Sequence, residues 1–260
     1  MIWSRRSKTY ATSPIRAGLQ PALNSTQAKI PGFELAAIQA AHVVLVGAGG
    51  IGSPVAATLT RKGIGKLSIV DDDKVELPNL TRQLYSRQDI GKYKAHCLAR
   101  NIERDGLFPT RVEAHPFRFE ELLERRHAFD DATLICCGVD NNPTRRAVCH
   151  YAIEHNKPVI YAAVSRGGNE AYVMVQEPRK ACWACAFPHY VNDDTYPCGL
   201  PAIADVLMVV AGQICFAVDT LVSDRPRTWN VRETFLDGSL PDRAREVPRR
   251  GDCVICGYHT

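Results

Sequence analysis

The chain has 260 residues, of which 45% are hydrophobic and 23% are charged, and its formal net charge is +4. This composition is that of a globular protein with one large domain or two closely packed lobes, and the small positive excess does not indicate a nucleic-acid partner. The ten cysteines lack the spacing of a secreted disulfide framework, which a chain of this length would not need.

Two stretches raise the question of a membrane segment, and neither predicts one. The first residues, MIWSRRSKTYATSP, are basic and polar, unlike a signal peptide or a membrane anchor. The most apolar stretch, residues 201–222, contains Asp205, Gln213 and Asp219, which favour a buried helix or a subunit interface. We therefore expect a cytoplasmic protein without a membrane partner.

The predicted elements begin after a polar N-terminal extension, residues 1–31. Residues 42–46, HVVLV, are an apolar run of the kind found in strands that are buried on both faces. Residues 53–63 predict a helix with Ser53 as its N-cap, and residues 67–70 predict the next strand. Together these segments predict a βαβ unit of about 30 residues.

Strands and helices continue to alternate as far as about residue 167. This alternation predicts an α/β fold with a Rossmann-like, doubly wound and mostly parallel sheet. From residue 168 the order changes to a strand, a cysteine pair, a loop and a long apolar helix, which predicts antiparallel strands that extend the sheet. We therefore expect a Rossmann-like lobe at residues 32–167 and a second lobe at residues 168–260, closely packed against the first.

The segment GAGGIG follows the first buried strand directly and precedes the first long helix. Gly47, Gly49 and Gly52 have the G-x-G-x-x-G spacing, with Gly50 between them. In this place the first glycine permits a tight turn, the second lets backbone amides approach a phosphate, and the third lets helix and strand pack closely. The alternative is a glycine-rich turn without a ligand.

Two aspartates at the end of the second strand are candidates for binding a ribose. Asp71 lies 19 residues after Gly52, where an acidic side chain accepts hydrogen bonds from the ribose of adenosine. Asp73 either shares the ribose or holds the loop, and a simple turn residue is the alternative for Asp71. Because ATP and NAD both contain adenosine, these features do not distinguish a ligase from a dehydrogenase.

Further polar residues follow later elements, and strand ends in an α/β sheet converge on one crevice. Two cations and a carboxylate around a phosphate loop suit a triphosphate with Mg²⁺, whereas a dinucleotide carries only a bridging pyrophosphate. The simpler alternatives are a surface ion pair for Arg82, a solvated side chain for Lys94 and a helix cap for Asp140. The crevice residues are Asn79, Arg82, Gln83, Lys94, Asp140 and Asn141.

Four cysteines form two Cys-x-x-Cys pairs, Cys182 with Cys185 and Cys253 with Cys256. Two such pairs far apart in the sequence predict a tetrahedral four-thiolate Zn²⁺ site. Because the protein fills all four positions, we expect a structural metal, and a pair of redox dithiols is the alternative. Cys198 stands instead in a polar loop before a helix, where its thiol is either a covalent acceptor or a loop cysteine without a role.

The combination of GAGGIG, DDDKVELPNLTRQ, IGKYKA, VDNNPTRR and the two cysteine pairs resembles the ThiF/MoeB family, which are relatives of the ubiquitin-activating enzymes. The resemblance runs from about Gly32 to Gly257. It implies adenylation, with ATP and Mg²⁺, of the C-terminal glycine of a small ubiquitin-like or sulfur-carrier β-grasp protein. It also implies a homodimer and a C-terminal region with zinc, and it leaves open whether a conjugating enzyme or a sulfur donor acts next.

The resemblance also implies roles for single residues of this chain. These are ribose binding for Asp71, triphosphate binding for Arg82 and Lys94, Mg²⁺ binding for Asp140, and lining of the nucleotide pocket for Asn79 and Gln83. In several members a cysteine that matches Cys198 takes the activated acyl group or its sulfur. Many members also have an N-terminal arginine that reaches into the partner subunit's site. The matching segment here, ALNSTQAKIPGF, has no arginine, so either Arg5, Arg6 or Arg16 replaces it or the N-terminal extension is built differently.

Three other functions stay open on the sequence alone. The same site could activate another carboxylate, for instance on a modified tRNA base, although the moderate charge weighs against nucleic acid. An NAD-dependent oxidoreductase would share the glycine turn but would have no need for Arg82 and Asp140. A pseudoenzyme would use the dimer and the zinc lobe as a scaffold.

Overall fold

The computed structural model describes residues 5–12, 20–124, 129–165, 167–191, 202–223 and 225–257. Within these residues nine strands form one sheet. The strands are β1 (Lys8–Ala11), β2 (His42–Val46), β3 (Lys66–Val70), β4 (Arg111–His115), β5 (Leu134–Cys137), β6 (Val159–Val164), β7 (Glu170–Gln176), β8 (Val231–Phe235) and β9 (Arg243–Arg245). The helices are α1 (Gln20–Asn24), α2 (Leu35–Ala40), α3 (Gly52–Lys62), α4 (Lys94–Asp105), α5 (Phe119–Leu123), α6 (Asn142–Glu154), α7 (Trp183–Ala186) and α8 (Ala204–Val222).

The strand order is β1-β4-β3-β2-β5-β6-β7-β8-β9. The strands from β4 to β6 run parallel, and the remaining strands add antiparallel pairs at the two sides of this centre. The order reverses between β2 and β5, because β3 and β4 are added on one side of β2 and β5 and β6 on the other. In open α/β sheets ligands bind at such a reversal, outside the carboxyl ends of the strands.

The predicted α/β fold is confirmed, but the sheet is mixed rather than mostly parallel. Four of its eight strand pairings are antiparallel. One of them joins β1 to β4 and lies in the segment that was expected to be a plain extension. Ser53 is not an N-cap, because it lies inside α3 and its hydroxyl donates to the carbonyl oxygen of Gly49 at 2.8 Å. The division into lobes stays a prediction, and its boundary at residues 167 and 168 falls between two paired strands.

Each face of the sheet has its own helices and its own apolar core. On one face α3, α4 and α8 pack together, and Leu45 and Leu59 are among the buried side chains there. On the other face lie α5, α6 and α7, with Val44 and Trp183 among the buried side chains. Successive side chains of a strand point to opposite faces, so a strand covered on both sides is apolar throughout, as β2 is.

Helix α8 is long and apolar enough to cross a membrane by length and composition, but half of that stretch is buried inside the protein. It packs against α3, β6 and β7. Close to its end, Asp219 is 1% exposed and forms ion pairs with Lys62 and with Arg225, the latter at 2.7 Å. The helix therefore packs as a core element along one side, while Ile203 and Met208 are exposed at its beginning.

Candidate active site

The segment between β2 and α3 is a tight turn in which two glycines have different roles. At Gly52 a Cβ atom would lie 1.9 Å from the carbonyl oxygen of Gly47, so only glycine lets α3 begin this close to the strand. At Gly49 the nearest atom to a Cβ would be Gln83 Nε2, at 3.8 Å. The backbone at Gly49 is therefore open, and its amides can approach a phosphate group.

Asp71, at the end of β3, fixes this turn. Its Oδ2 accepts a hydrogen bond from the amide of Ala48 at 2.7 Å, and its Oδ1 accepts one from the amide of Asp73 at 2.9 Å. The buried hydroxyl of Tyr85 donates to the carbonyl oxygen of Ala48 at 2.6 Å. Burial raises the pKa of Asp71 to about 6, although Lys94 and the amide donors act in the opposite direction. A carboxylate has four acceptor positions, so Asp71 can also accept from a ligand hydroxyl.

Lys94 is a buried cation of the site. Its side chain is 9% exposed, and its Nζ lies 2.8 Å from Oδ2 of Asp73. Burial lowers the pKa of Lys94, but Asp71, Asp73 and Asp140 outweigh this effect, so the net pKa is raised and the ammonium stays charged at neutral pH. Asp140 follows β5 and Asp71 follows β3, so charges from separate strand ends meet at this lysine.

These residues line one cavity of about 1160 Å³ at the carboxyl ends of the central strands. Ten of the predicted nucleotide-site residues line it, namely Gly47, Gly49, Gly50, Asp71, Asp73, Arg82, Gln83, Lys94, Asp140 and Asn141. Asn141 also caps α6, because its Oδ1 accepts from the amide of Thr144 at 2.9 Å. The alternative role of Asp140 as a helix cap therefore does not apply, because Asn141 is the N-cap of α6. Arg82 lines the cavity while its Nη1 donates to the carbonyl oxygen of Pro78 at 3.1 Å.

Two predicted residues do not line the cavity. Gly52 is buried under the glycine turn and acts through packing. Asn79 is 8% exposed, and its Oδ1 accepts from the amide of Glu76 at 3.0 Å, which closes a short 3₁₀ helix before Arg82. The structure therefore gives Asn79 a position in the loop that carries Arg82, and gives it no place on the cavity wall.

The cavity contains charged residues that the sequence reasoning did not assign. Arg145 is 6% exposed and lines the cavity, and its guanidinium donates to the carbonyl oxygen of Val139 at 2.6 Å and to Oδ1 of Asn142 at 2.7 Å. Glu120 and Arg118, from the segment after β4, line it as well. Arg145 belongs to the motif VDNNPTRR, so the motif could have indicated it as a candidate site residue. Its burial, however, cannot be predicted from the motif.

Beyond the glycine turn the cavity continues between the sheet and the segment after α7. Aromatic rings line this part, with ring centroids 4.3 Å apart for Tyr172 and Phe187 and 6.1 Å apart for Phe187 and Tyr190. The carboxylates of Glu170 and Glu233 lie along the same part. The cavity therefore has a second part beside the glycine turn, and its aromatic lining suits an extended chain with apolar side chains.

The four paired cysteines come together in the structure. Their sulfur atoms lie within 4.8 Å of one another, with separations of 3.8 Å for Cys182 and Cys185, 3.6 Å for Cys182 and Cys253, and 3.4 Å for Cys185 and Cys256. Zinc–sulfur bonds of about 2.3 Å in a tetrahedron require sulfur separations of about 3.8 Å. The donor set and its spacing therefore fit a four-thiolate metal site.

The other sequence candidates have separate positions. Cys198 and Arg16 lie outside the described residues. Arg5 is anchored within its own chain, because its Nε donates to the carbonyl oxygen of Pro116 at 3.0 Å and its Nη2 lies 2.5 Å from Glu121. Arg6 is exposed.

Taken together, the glycine turn, the acid at the end of β3 and the surrounding cations define a nucleotide-binding α/β protein of the doubly wound class. The chain belongs to the ThiF family, whose sequence model matches residues 24–250. The predicted resemblance is thereby confirmed, and β1 lies outside the matched part.

Relatives with assigned names support this assignment. The chain is 33% identical over 189 residues to the sulfur carrier protein adenylyltransferase of Thermus thermophilus, covering 69% of this chain and 68% of that protein. It is 30% identical over 225 residues to the SAMP-activating enzyme E1 of Haloferax volcanii, covering 83% and 80%. The fold is similar to that of E. coli MccB in a crystal structure with ATP, with a TM-score of 0.71 at 22% identity over 86% of this chain and 68% of that one.

We expect Gly49→Ala to weaken ATP binding without weakening the fold. The added methyl group would meet no protein atom closer than 3.8 Å, but it would stand where backbone amides approach a phosphate. The expected loss is about 1.4 kcal/mol or more, which is tenfold in Kd, measured by calorimetry. In Gly52→Ala, by contrast, the clash with Gly47 lowers the melting temperature. Wild-type ATP affinity in Gly49→Ala would contradict the assignment of the phosphate position.

We also expect the affinity for adenosine to fall as the pH falls through about 6, because protonation of Asp71 removes its charge and turns one of its acceptor oxygens into a donor. Adenosine has no phosphate that titrates in this range. The pKa of Asp71 is raised from 3.8 in the folded state, so its protonation stabilises the fold as the pH falls from about 6 towards 3.8. Protonation of Asp71 therefore does not unfold the protein, and unfolding through Asp71 cannot explain the loss of adenosine affinity. A pH-independent Kd in the wild type, or the same decline in Asp71→Asn, would contradict the role of Asp71.

Proposed function

We propose that this protein is an adenylyltransferase that uses ATP to adenylate the C-terminal glycine carboxylate of a small ubiquitin-like or sulfur-carrier protein, with release of pyrophosphate. One observation carries the proposal: a single cavity brings together the glycine turn, Asp71, Arg82, Lys94 and Asp140. The names of the relatives from T. thermophilus and H. volcanii agree with this activity.

The residues of the cavity suit the reaction because its nucleophile needs no activation by a base. A C-terminal carboxylate is already ionised at neutral pH, so the enzyme must mainly align two anions and offset their charge. The amides of the turn around Gly49 would bind phosphate oxygens, and Asp71 would accept from the ribose hydroxyls. Arg82 and Lys94 would neutralise the charge that develops on the phosphates and on the leaving pyrophosphate.

Asp140 is the residue that we propose to hold Mg²⁺. Its carboxylate lines the same cavity as Lys94 and Arg82, and carboxylate oxygen is the ligand type that Mg²⁺ prefers. When bound, the ion would supply positive charge to the phosphate oxygens and help to fix the triphosphate. Asp140 also carries part of the charge that keeps Lys94 protonated, so the acid has a role in the site before any ligand arrives.

The far part of the cavity would hold the C-terminal tail of the carrier protein. It is continuous with the nucleotide part, so a chain lying against Tyr172 and Phe187 could place its terminal carboxylate beside the α-phosphate. The acyl-adenylate would then pass to a thiol. In our proposal this is Cys198, whose thiolate attacks the acyl carbon while AMP leaves, and a conjugating enzyme or sulfur donor follows.

The assembly that we propose is a cytoplasmic homodimer with a structural Zn²⁺ bound by the two cysteine pairs. Exposed apolar side chains at the beginning of α8 support the dimer, because Ile203, directly before the helix, and Met208 and Val209 within it are 60%, 55% and 37% exposed. The metal would hold the segment around Cys253 against α7, and so tie the C-terminal part of the chain to the wall of the cavity.

The test of the proposed function is ATP–pyrophosphate exchange with a purified β-grasp carrier that ends in Gly-Gly. We expect carrier-dependent exchange, and a loss of kcat/KM of about a hundredfold or more in Arg82→Ala, Lys94→Ala and Asp140→Ala. Arg104→Ala is the matched control, because Arg104 lies on the same helix as Lys94 but is 59% exposed and forms its ion pair with the neighbouring Asp105. Exchange that is independent of the carrier, or unchanged in these variants, would disprove the proposal.

Removal of the metal gives a separate prediction. Purified protein should contain one Zn²⁺ per chain by elemental analysis, and treatment with a strong chelator should lower the melting temperature, because four buried thiols lose their common partner. Cys182→Ser should have the same effect and should also lower the zinc content. Cys215→Ser is the control, since Cys215 is buried in the other core. A protein without zinc that is equally stable would contradict the structural role.

A further inference from the structure

Three residues that line the cavity have a buried polar atom without a hydrogen-bond partner among the described residues. One is Gln83, whose side chain lies beside Gly49 in the glycine-turn part, and its unpaired atom is Oε1. The other two atoms are Oε2 of Glu120 and Nε of Arg145. Both residues line the cavity. Leaving a buried polar atom unpaired costs free energy, so such atoms in a cavity wall indicate a ligand that completes their hydrogen bonds.

The direction of the Arg145 donor is fixed by the rest of its guanidinium. Nη2 donates to the carbonyl oxygen of Val139 and Nη1 donates to Oδ1 of Asn142, so the planar group cannot turn without breaking both bonds. The side chain is 94% buried, since its exposed fraction is 6%. One N–H is therefore held in place, without a partner, in the wall of the cavity.

Glu120 and Arg145 lie on neighbouring helices, because α5 packs against α6, and both residues line the cavity. Both charges act on the thiol of Cys137 at the end of β5, where burial raises the pKa to about 11, Arg145 lowers it and Glu120 raises it. An acceptor from the segment after β4 and a donor from α6 thus flank the part of the cavity next to the strand ends. Apolar groups line the same region, including Phe117, Phe119 and Val139.

A flat aromatic ring with a donor and an acceptor side by side on its edge would satisfy this arrangement. The edge of adenine has this pattern, because the N6 amine donates and the adjoining ring nitrogen accepts. Guanine presents the oxygen O6 in place of the amine, so two acceptors would face each other at Glu120. The pattern therefore distinguishes the two purines.

We propose that Glu120 and Arg145 select adenine as the base of the nucleotide, with Glu120 accepting a hydrogen bond from the N6 amine and Arg145 Nε–H donating to the adjacent ring nitrogen. This inference rests on the proposed function, because it needs a nucleoside triphosphate in the cavity. It adds two specificity-determining residues to the proposed site, neither of which contacts the reacting atoms. The phosphates are bound elsewhere, at the glycine turn.

The test compares the binding of ATP, GTP and ITP to the full chain by calorimetry, with Mg²⁺ present. The wild type should prefer ATP over GTP and ITP by about tenfold or more. In Glu120→Gln the side-chain amide can turn to donate to O6, so the preference should fall by a similar factor. Glu121→Gln is the matched control, because Glu121 is the next residue of α5 but is 41% exposed and paired with Arg5.

Two ATP analogues test the Arg145 contact without a change to the protein. The analogues are 1-deaza-ATP and 7-deaza-ATP, and each lacks one of the two ring nitrogens near the amine. The analogue that lacks the nitrogen contacted by Arg145 should bind more weakly than ATP. Equal binding of both analogues and ATP would overturn the role of Arg145.

The other outcomes separate this inference from the proposed function. If ATP binds but GTP binds equally well, or if Glu120→Gln leaves the preference unchanged, the selection by Glu120 is wrong while the adenylation proposal stands. If no nucleoside triphosphate binds, the proposed function itself fails. Glu120→Gln should not lower the melting temperature, because Oε2 of Glu120 accepts no hydrogen bond from the described residues that the substitution would break. A folded variant therefore makes the comparison valid.

Discussion

The hydrogen bond between the Asp71 carboxylate and the amide of Ala48 is the contact on which the rest of the site depends. It joins the end of β3 to the glycine turn after β2 at 2.7 Å, so it holds the turn against the neighbouring strand end. The same carboxylate supplies part of the charge that keeps Lys94 protonated. One side chain thus fixes the turn whose amides we propose to bind a phosphate, helps to keep Lys94 charged, and is our proposed acceptor for a ribose.

The electrostatics of the site follow from this arrangement. A partly buried acid with a raised pKa is costly to the fold in its charged form, and the nearby ammonium offsets part of that cost. Lys94 in turn is held at 2.8 Å by Asp73, so the cation is in place before a ligand binds. An arrangement that is positioned in advance loses little free energy to reorganisation during a reaction, which suits a site that must bring two anions together.

Much of this site could be predicted from the sequence because its residues fall in short, contiguous motifs. The GAGGIG turn, Asp71 and the crevice residues follow strands that local apolar patterns identify, and parallel strands bring their carboxyl ends to one edge. The sequence failed where a position depends on contacts between distant segments. β1 forms by pairing with β4, in which Lys8 stands opposite Ala114, and no local pattern reports such a pairing. Asn79 was placed in the pocket because of its motif, whereas its side chain closes the loop instead.

Charged side chains in the cavity wall are a second example of positions that the sequence alone does not predict. Glu120 and Arg145 read as ordinary surface residues of two helices, and only the packing of α5 and α6 on the same face brings them into the cavity wall. The cysteine pairs are the opposite case, because their spacing alone predicts a common metal, and the fold brings Cys182 and Cys253 to 3.6 Å. The spacing of residues along the sequence thus predicts a site such as the cysteine cluster, because metal coordination fixes its geometry. A site that forms when distant segments pack together, such as the one around Glu120 and Arg145, can be found only from the structure.

The central claim is that one cavity holds the triphosphate and the carboxylate of the carrier together. A crystal structure with Mg²⁺, a non-hydrolysable ATP analogue and a carrier tail tests it most directly. The account predicts the β- and γ-phosphates against the turn at Gly49, with Arg82 and Lys94 in contact with them and the terminal carboxylate beside the α-phosphate. A nucleotide bound elsewhere, or Arg82 and Asp140 directed away from the phosphates, would contradict it.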